Sequence, residues 1–242
     1  MPKLDFSLQF ETVKAQEGAY SVIIVAAGSS RRMGGEDKLM MSILGMPVLA
    51  RTLRTFNNSA LIKDITVVTR EEKIDDIWLI AKKYSIAKLK SVVAGGACRE
   101  ESVRNGVALY KGKAEKVLVH DGARPLVSND VIKNVCDALK NNDSVTCGVR
   151  LKDTVKRVSD DGFAVETLNR DSLFAIQTPQ GINVERFLRA AADTDLSVFT
   201  DDTSVMESVG IRTAIAEGDY RNIKITTKED IAAAEAYLSE EL

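Results

Sequence analysis

The chain has 242 residues, 45% of them hydrophobic and 28% charged, with a formal net charge of −2. That is an ordinary globular composition, long enough for one sizeable α/β domain with a large core. It excludes a disordered or fibrous chain, and it excludes a globally basic surface that would recruit nucleic acid or anionic membrane. The three cysteines, Cys98, Cys136 and Cys147, show no C-x-x-C spacing, and a single histidine accompanies them. A structural zinc site and a disulfide framework are therefore disfavoured, and reduced thiols in the cytoplasm fit best. Residues 1–18 carry Asp5, Glu11 and Glu17 and no long apolar core, so they read as a leader ahead of a domain over 19–242 rather than as a signal peptide. No run reaches transmembrane length.

In chain order, "SVIIVAA" predicts a buried strand. Pro47 is placed to open a helix running through Phe56. "DITVVT" is a second strand, and Ile74, Ile77, Trp78, Ala81 and Tyr84 then recur at helical spacing. "LKSVVAGG" is a third strand ending in two glycines, followed by a helix marked by Val103, Val107 and Tyr110. "KVLVHDGARP" is a fourth strand running into a loop. Ser128 is a reasonable N-cap for a helix to Lys140, and "SVTCGV" is a fifth strand. This βαβα rhythm predicts one α/β domain with a mainly parallel twisted sheet and helices on both faces. The rhythm breaks at "DTVKRVSDDGFAVETLNR", where two alternating runs flank Asp160-Asp161-Gly162 and predict a hairpin projecting as an arm over about 150–172. Beyond it the pattern predicts a short strand to Thr178, helices near Asn183–Ala192 and Thr203–Ser208, and a strand near Thr213–Ala216. A last short strand, "NIKIT", is followed by a helix capped by Thr227, with Ile231, Ala234 and Leu238 facing the core.

Ligands of parallel sheets sit beyond the carboxyl ends of the strands, and four segments should end there. The first, "VIIVAAGSSRRMGGEDK", fits neither the G-x-G-x-x-G nor the P-loop pattern. Its small residues Ala26, Ala27 and Gly28 let backbone N–H groups approach a phosphate, and Arg32 and Lys38 add charge. A glycine turn with solvated charges reads the same way. "AGGACREESVRNG" offers Gly95, Gly96, Arg99 and Ser102 at a strand-to-helix turn, suited to a base edge or phosphate, or simply to a helix cap. In "HDGARP", Asp121 can bind Mg²⁺ or a ribose hydroxyl, or pair with Arg124. His120, the lone histidine, reads as structural. In "NIKIT", alternation puts Ile223 and Ile225 toward the core and Asn222 and Lys224 together on the other side. Asp201-Asp202 read as the start of a helix. No Ser–His–Asp set and no carboxylate pair stands out, which favours chemistry done by charge and positioning, such as phosphoryl or nucleotidyl transfer.

Six segments in this order, "AAGSSRRMGGEDK", "GG..R..SV..G", "VHDGARP", "DTVKR", "R..L...QTPQ" and "GDYRNIKIT", closely resemble the 2-C-methyl-D-erythritol 4-phosphate cytidylyltransferase family over roughly Tyr20 to Leu238. The resemblance implies a glycosyltransferase-A-like nucleotidyltransferase fold and a Mg²⁺-dependent reaction. CTP and methylerythritol phosphate would give a CDP-linked alcohol and pyrophosphate, a step of isoprenoid-precursor synthesis. It further implies that Arg32 and Lys38 hold the triphosphate, lined by backbone at Ala26, Ala27 and Gly28. Gly96 and Ala97 backbone and the Ser102 hydroxyl would read cytosine. Asp121 and Gly122 would meet the ribose, with Asp121 also near the metal or the second substrate, and Lys224 would contact the α-phosphate. Thr154 and Arg170 would reach the acceptor of a partner subunit, making a homodimer through the arm, while Arg124, Thr178 and Thr200 finish the acceptor pocket. The chain departs from the family pattern at Ser30, where many members have a second loop glycine, and at Asp37, whose carboxylate stands beside the phosphates. Two rivals share the fold. One is a ribitol phosphate cytidylyltransferase, whose motifs read more like L-A-G-G and H-D-A-V-R-P. The other is a non-catalytic nucleotide-binding regulator, against which the joint retention of Arg32, Lys38, Asp121 and Lys224 speaks.

Overall fold

A computed structural model describes residues 19–28, 37–192 and 194–240. The leader, Ser30 and Arg32 lie outside the described residues. The first strand, β1 (Tyr20–Val25), is followed by a two-stranded turn, β2 (Ser42–Ile43) and β3 (Met46–Pro47), and by α1 (Val48–Asn58) with Pro47 at its N-cap. Next come β4 (Ile62–Thr69), α2 (Ile74–Lys83), β5 (Leu89–Ala94), α3 (Arg99–Ala108), β6 (Lys116–Asp121), α4 (Asn129–Leu139) and β7 (Ser144–Arg150). The hairpin strands are β8 (Lys156–Val158) and β9 (Ala164–Thr167); β10 (Phe174–Asn183), α5 (Val184–Ala190), α6 (Asp202–Ser208), β11 (Ala214–Glu217) and α7 (Lys228–Ser239) complete the chain.

Seven strands form one sheet in the order β11-β7-β10-β6-β1-β4-β5. β1 pairs in parallel with β4 and β6, β4 with β5, and β11 with β7, whereas β10 is antiparallel to both its neighbours. Strand sequence explains the depth of burial. In β1, Val22 and Ile24 point into a core shared with α1, α2, α4 and α7, while Ile23 points into a second core with α3, α5 and α6. Both faces are covered, so the strands read as continuous apolar runs rather than alternating ones. Ser128 accepts from the Val131 N–H and starts α4 as its sequence predicts, and Thr227 with Asp230 forms a capping box on α7. In α2 only Ile77 and Ala81 are buried, and Trp78 is exposed.

Two expectations need correction. The strand predicted to end at Thr178 continues through Pro179 to Asn183, with a register shift between Gln177 and Gln180 where it passes from one neighbour to the next. The "NIKIT" segment is not a strand. It has no strand ladder; its Ile225 N–H donates to the Ala123 carbonyl (2.8 Å) in the loop after β6, so alternation does not govern it and Asn222 is fully buried rather than facing out beside Lys224.

The hairpin does form where Asp160-Asp161-Gly162 predicts, with Gly162 at φ +87°, a conformation that glycine reaches without a Cβ penalty. It carries Val158, Phe163 and Val165 exposed.

His120, fully buried in β6, packs its ring 4.8 Å from the Phe56 ring centroid. Its Nε2 donates to the Arg124 carbonyl (3.2 Å), and its Nδ1 accepts from the Thr178 hydroxyl (3.0 Å). Both nitrogens are used by the neutral ring. Burial lowers its pKa to about 3, against the opposing pull of Asp121. The folded pKa lies below the unfolded one, so the stability linked to this group is complete above about pH 6.5 and is lost as pH falls toward the folded value. Urea unfolding of His120→Gln across pH 6.5 to 4 should show a pH slope flatter than the parent's by up to about 1.4 kcal/mol per pH unit; identical slopes would refute the buried neutral ring.

Candidate active site at the carboxyl ends of the strands

The sheet register brings the predicted segments together. Val25 lies opposite both Val68 and Asp121, and Thr69 lies opposite Ala94. The loops after β1, β5 and β6 therefore leave from one edge. β1 has β4 and β5 on one side and β6 on the other, so strand order reverses at β1, the kind of crevice where α/β sheets bind ligands.

Asp121 is the focus. Its carboxylate is buried, and cations from three segments surround it. Lys224 Nζ is 2.8 Å from Oδ2, Arg124 Nε is 3.6 Å from Oδ2, and Arg99 Nε is 3.3 Å from Oδ1. Burial alone would raise its pKa; Arg99, Lys224 and Arg124 outweigh that and hold the carboxyl well below the usual carboxylate range. The Asp121 N–H donates to Thr178 Oγ1 (3.1 Å), whose own proton goes to His120. The structural histidine thus fixes the carboxylate's backbone through one shared hydroxyl. The Asp121–Arg124 turn pair expected from local sequence is present, as one part of a larger network.

Lys224 reaches Asp121 because its segment is anchored on both sides. Asn222 Nδ2 donates to the Thr178 carbonyl (2.8 Å) and to Gln177 Oε1 (3.3 Å), and the Asn222 carbonyl accepts from Arg124 Nη1 (2.8 Å). Lys38 Nζ donates to the Ile225 carbonyl (3.0 Å). The two lysines, far apart in sequence, therefore meet on one short segment. Asp37 is occupied: its Oδ1 accepts from the Leu39 N–H (3.2 Å) and its Oδ2 lies 3.3 Å from Arg70 Nη2.

The turn after β5 is tightly built. A Cβ at Gly95 would lie 2.6 Å from Ser102 Oγ and 2.8 Å from Ala27 Cβ, so this glycine brings the first and second loops into contact. The Gly96 N–H donates to Ser102 Oγ (3.0 Å), which donates to the Cys98 carbonyl (2.9 Å), and the Ala97 N–H donates to Glu101 Oε2 (2.8 Å). The Ala26 N–H donates to the Val68 carbonyl (2.7 Å), while Gly28 stands exposed. At Gly122 the N–H donates to the Val25 carbonyl (2.9 Å) and the carbonyl accepts from Thr52 (2.9 Å).

Thr154 and Arg170 are exposed at the base of the arm, where Arg170 Nη1 donates to the Lys152 carbonyl (2.7 Å). Among the described residues, no hydrogen bond or ion pair joins either to Asp121. Thr200 is exposed immediately before Asp201, the N-cap of α6. Sequence reasoning missed Gln177, Gln180, Asn222 and Asp202 as parts of the site. Gln177 holds the 219–222 segment through the Asp219 carbonyl (2.8 Å), and Gln180 holds the start of α6 through Asp201 Oδ2 (2.8 Å) and the Asp202 N–H (2.9 Å). The available signal was two glutamines three residues apart in a strand segment, since buried amides must find partners.

Among the described residues no cluster of three or more His, Cys, Asp or Glu could hold a metal unaided. Asp121 alone still fits Mg²⁺, which commonly takes one or two carboxylates and completes its shell with substrate phosphates and water.

Known proteins resemble this chain over nearly all of the described region. The family model of 2-C-methyl-D-erythritol 4-phosphate cytidylyltransferase matches residues 20–240. A protein of that name from Bacillus cereus is 43% identical over 222 residues, covering 90% of this chain and 97% of that protein. One from Clostridium botulinum is 41% identical over 221 residues, covering 90% and 96%. The solved structure of 4-diphosphocytidyl-2C-methyl-D-erythritol synthase from Anaerococcus prevotii superposes with a TM-score of 0.80 at 34% identity, covering 93% of this chain and 98% of that one. With its Asp121–Lys224 centre at the strand-order reversal and a match spanning the whole sheet, the chain belongs to the 2-C-methyl-D-erythritol 4-phosphate cytidylyltransferase family of enzymes.

Proposed function

We propose that the chain transfers CMP from CTP to 2-C-methyl-D-erythritol 4-phosphate, giving 4-diphosphocytidyl-2-C-methyl-D-erythritol and pyrophosphate. The observation that carries this reading is the meeting of Lys38, Lys224 and Asp121 on one segment at the strand ends. The acceptor phosphate oxygen, already an anion near neutral pH, attacks the α-phosphorus. The new P–O bond forms as the bond to the bridging oxygen breaks, and pyrophosphate leaves with that oxygen. No general base is needed, which agrees with a histidine locked in the core.

The chain's cations offset the repulsion between the two phosphates and stabilise the crowded transition state. In this reading Arg32 and Lys38 hold the triphosphate, Ala26, Ala27 and Gly28 line it, and Lys224 moves from Asp121 to the α-phosphate. Gly96, Ala97 and Ser102 form the turn that reads cytosine, Asp121 and Gly122 meet the ribose, and Arg124, Thr178 and Thr200 border the acceptor. Mg²⁺, held by Asp121, would neutralise charge on the triphosphate when bound. No helix among the described residues is long and apolar enough to cross a membrane, and the three free cysteines support a cytoplasmic enzyme.

The arm supports a homodimer. A two-stranded hairpin is marginally stable alone in water, and Val158, Phe163 and Val165 are 56%, 71% and 59% exposed, so a second copy would cover them and receive Thr154 and Arg170 at its acceptor pocket.

Pyrophosphate release from CTP should occur with methylerythritol phosphate and fall steeply with ribitol phosphate; the opposite preference, or no release with either, rejects the assignment. Lys38→Ala and Lys224→Ala should each lower turnover by about 10²–10³-fold, the scale of losing one charge-stabilising donor, with folding retained. Near-parental turnover in either variant contradicts its role. Sedimentation should show a dimer, and Phe163→Asp combined with Val165→Asp should yield monomers with little activity; a fully active monomer would exclude the shared site.

A further inference from the structure

Arg99, the first residue of α3, joins three segments that are distant in sequence. Its guanidinium makes a two-pronged contact with Asp202, Nη1 donating to Oδ1 (2.8 Å) and Nη2 to Oδ2 (3.1 Å). The same group turns Nε and Nη2 to Asp121 Oδ1, both at 3.3 Å, and Nη1 lies 3.9 Å from Glu100 Oε1. The Asp202 side chain is 1% exposed, and its backbone N–H is fixed by Gln180 Oε1 (2.9 Å). The two oxygens of Asp121 are thereby divided. Oδ1 is committed to Arg99, and Oδ2 alone faces Lys224 and Arg124.

We infer that Arg99 is a positioning residue for the transfer reaction: by tying Asp121 Oδ1 to Asp202, it aims Oδ2 at the reacting groups and locks the β5–α3 turn, the end of β6 and the start of α6 into one unit. The inference rests on the proposed cytidylyl transfer, in which the β5–α3 turn reads the base, Asp121 holds the metal and ribose, and Thr200, just ahead of the α6 N-cap Asp201, borders the acceptor. Arg99 would touch none of the substrates. Its planar fork is what the geometry requires. A lysine keeps the charge but cannot address Asp202 with two parallel bonds while also meeting Asp121.

Removing Arg99 altogether would leave two buried carboxylates facing each other, so the informative variants are Arg99→Lys, Asp202→Asn and their combination. Steady-state kinetics should show Arg99→Lys losing up to about 10² in kcat, the scale of a misplaced reacting group, with the KM for CTP within about threefold of the parent. Asp202→Asn should move in the same direction. The double variant should lose little more than Arg99→Lys alone, because both changes break one interaction. Turnover per folded molecule, with the folded fraction taken from urea unfolding, separates this from a purely structural role. Parental kcat in folded Arg99→Lys, or multiplicative losses in the double variant, would overturn the inference while leaving the parent's activity intact. A parent that releases no pyrophosphate from CTP with either polyol phosphate would overturn the underlying reading and the inference with it.

Discussion

Everything at the strand ends is organised around one buried carboxylate. Taking the Asp121 charge out of water is expensive, and a buried ion is tolerated only when its partners and hydrogen bonds are well placed. Here the partners are Arg99 from α3, Arg124 from the loop after β6 and Lys224 from the segment before α7. Asp202 offsets Arg99. Glu100 also stands beside Arg99 at 3.9 Å, so three carboxylates face the three cations. A centre balanced in this way holds its buried charges without a ligand.

The fold supplies these partners through an irregularity in its sheet. β1, β4, β5 and β6 are parallel and release their loops at one edge; the segment bearing Lys224 follows β11 and has no strand ladder of its own to hold it. β10, the reversed strand, does that work. Between Gln177 and Gln180 its register shifts, and the residues of the shift project side chains both ways. Gln177 with the Thr178 carbonyl fixes residues 219–222, the Thr178 hydroxyl fixes Asp121, and Gln180 fixes α6. Three residues within one four-residue stretch of this strand hold the chain on either side of the centre.

The sheet and its helices were legible because they obey local rules. β1, β4 and β6 are apolar runs of strand length, Ser128 and Thr227 are caps, and Asp160-Asp161-Gly162 is a turn whose glycine needs positive φ. The "NIKIT" segment was misread as a strand because β-branched residues at alternate positions mimic one; long-range bonds to Ala123, Thr178 and Arg124 determine its path instead. The site divides along the same line. Small residues and charges at strand ends were readable, whereas the pairing of Arg99 with Asp202 spans 103 positions and leaves no periodic trace. Asp202 looked like a helix start, and it is one; its buried carboxylate becomes visible only once α6 is laid against β10.

The choice of cation at each position separates what must hold from what must move. The two arginines are the less exposed partners of Asp121, their side chains 24% and 12% exposed, and each also grips a second group, Asp202 for Arg99 and the Asn222 carbonyl for Arg124. Guanidinium forks suit such fixed, multiple contacts. The lysines are different. Lys224 is 37% exposed and rests on Asp121 through one pair, while Arg99 and Arg124 also hold that buried carboxylate. In the proposed transfer, exchanging that contact for a phosphate oxygen leaves Asp121 paired, and the compact ammonium on its flexible stem can make the move without disturbing Arg99 or Arg124. If Lys224 were an arginine, its planar fork would hold both Asp121 and the neighbouring carbonyls more firmly, stabilising the ligand-free centre at the expense of the charge that, in the proposed transfer, follows the reacting phosphate.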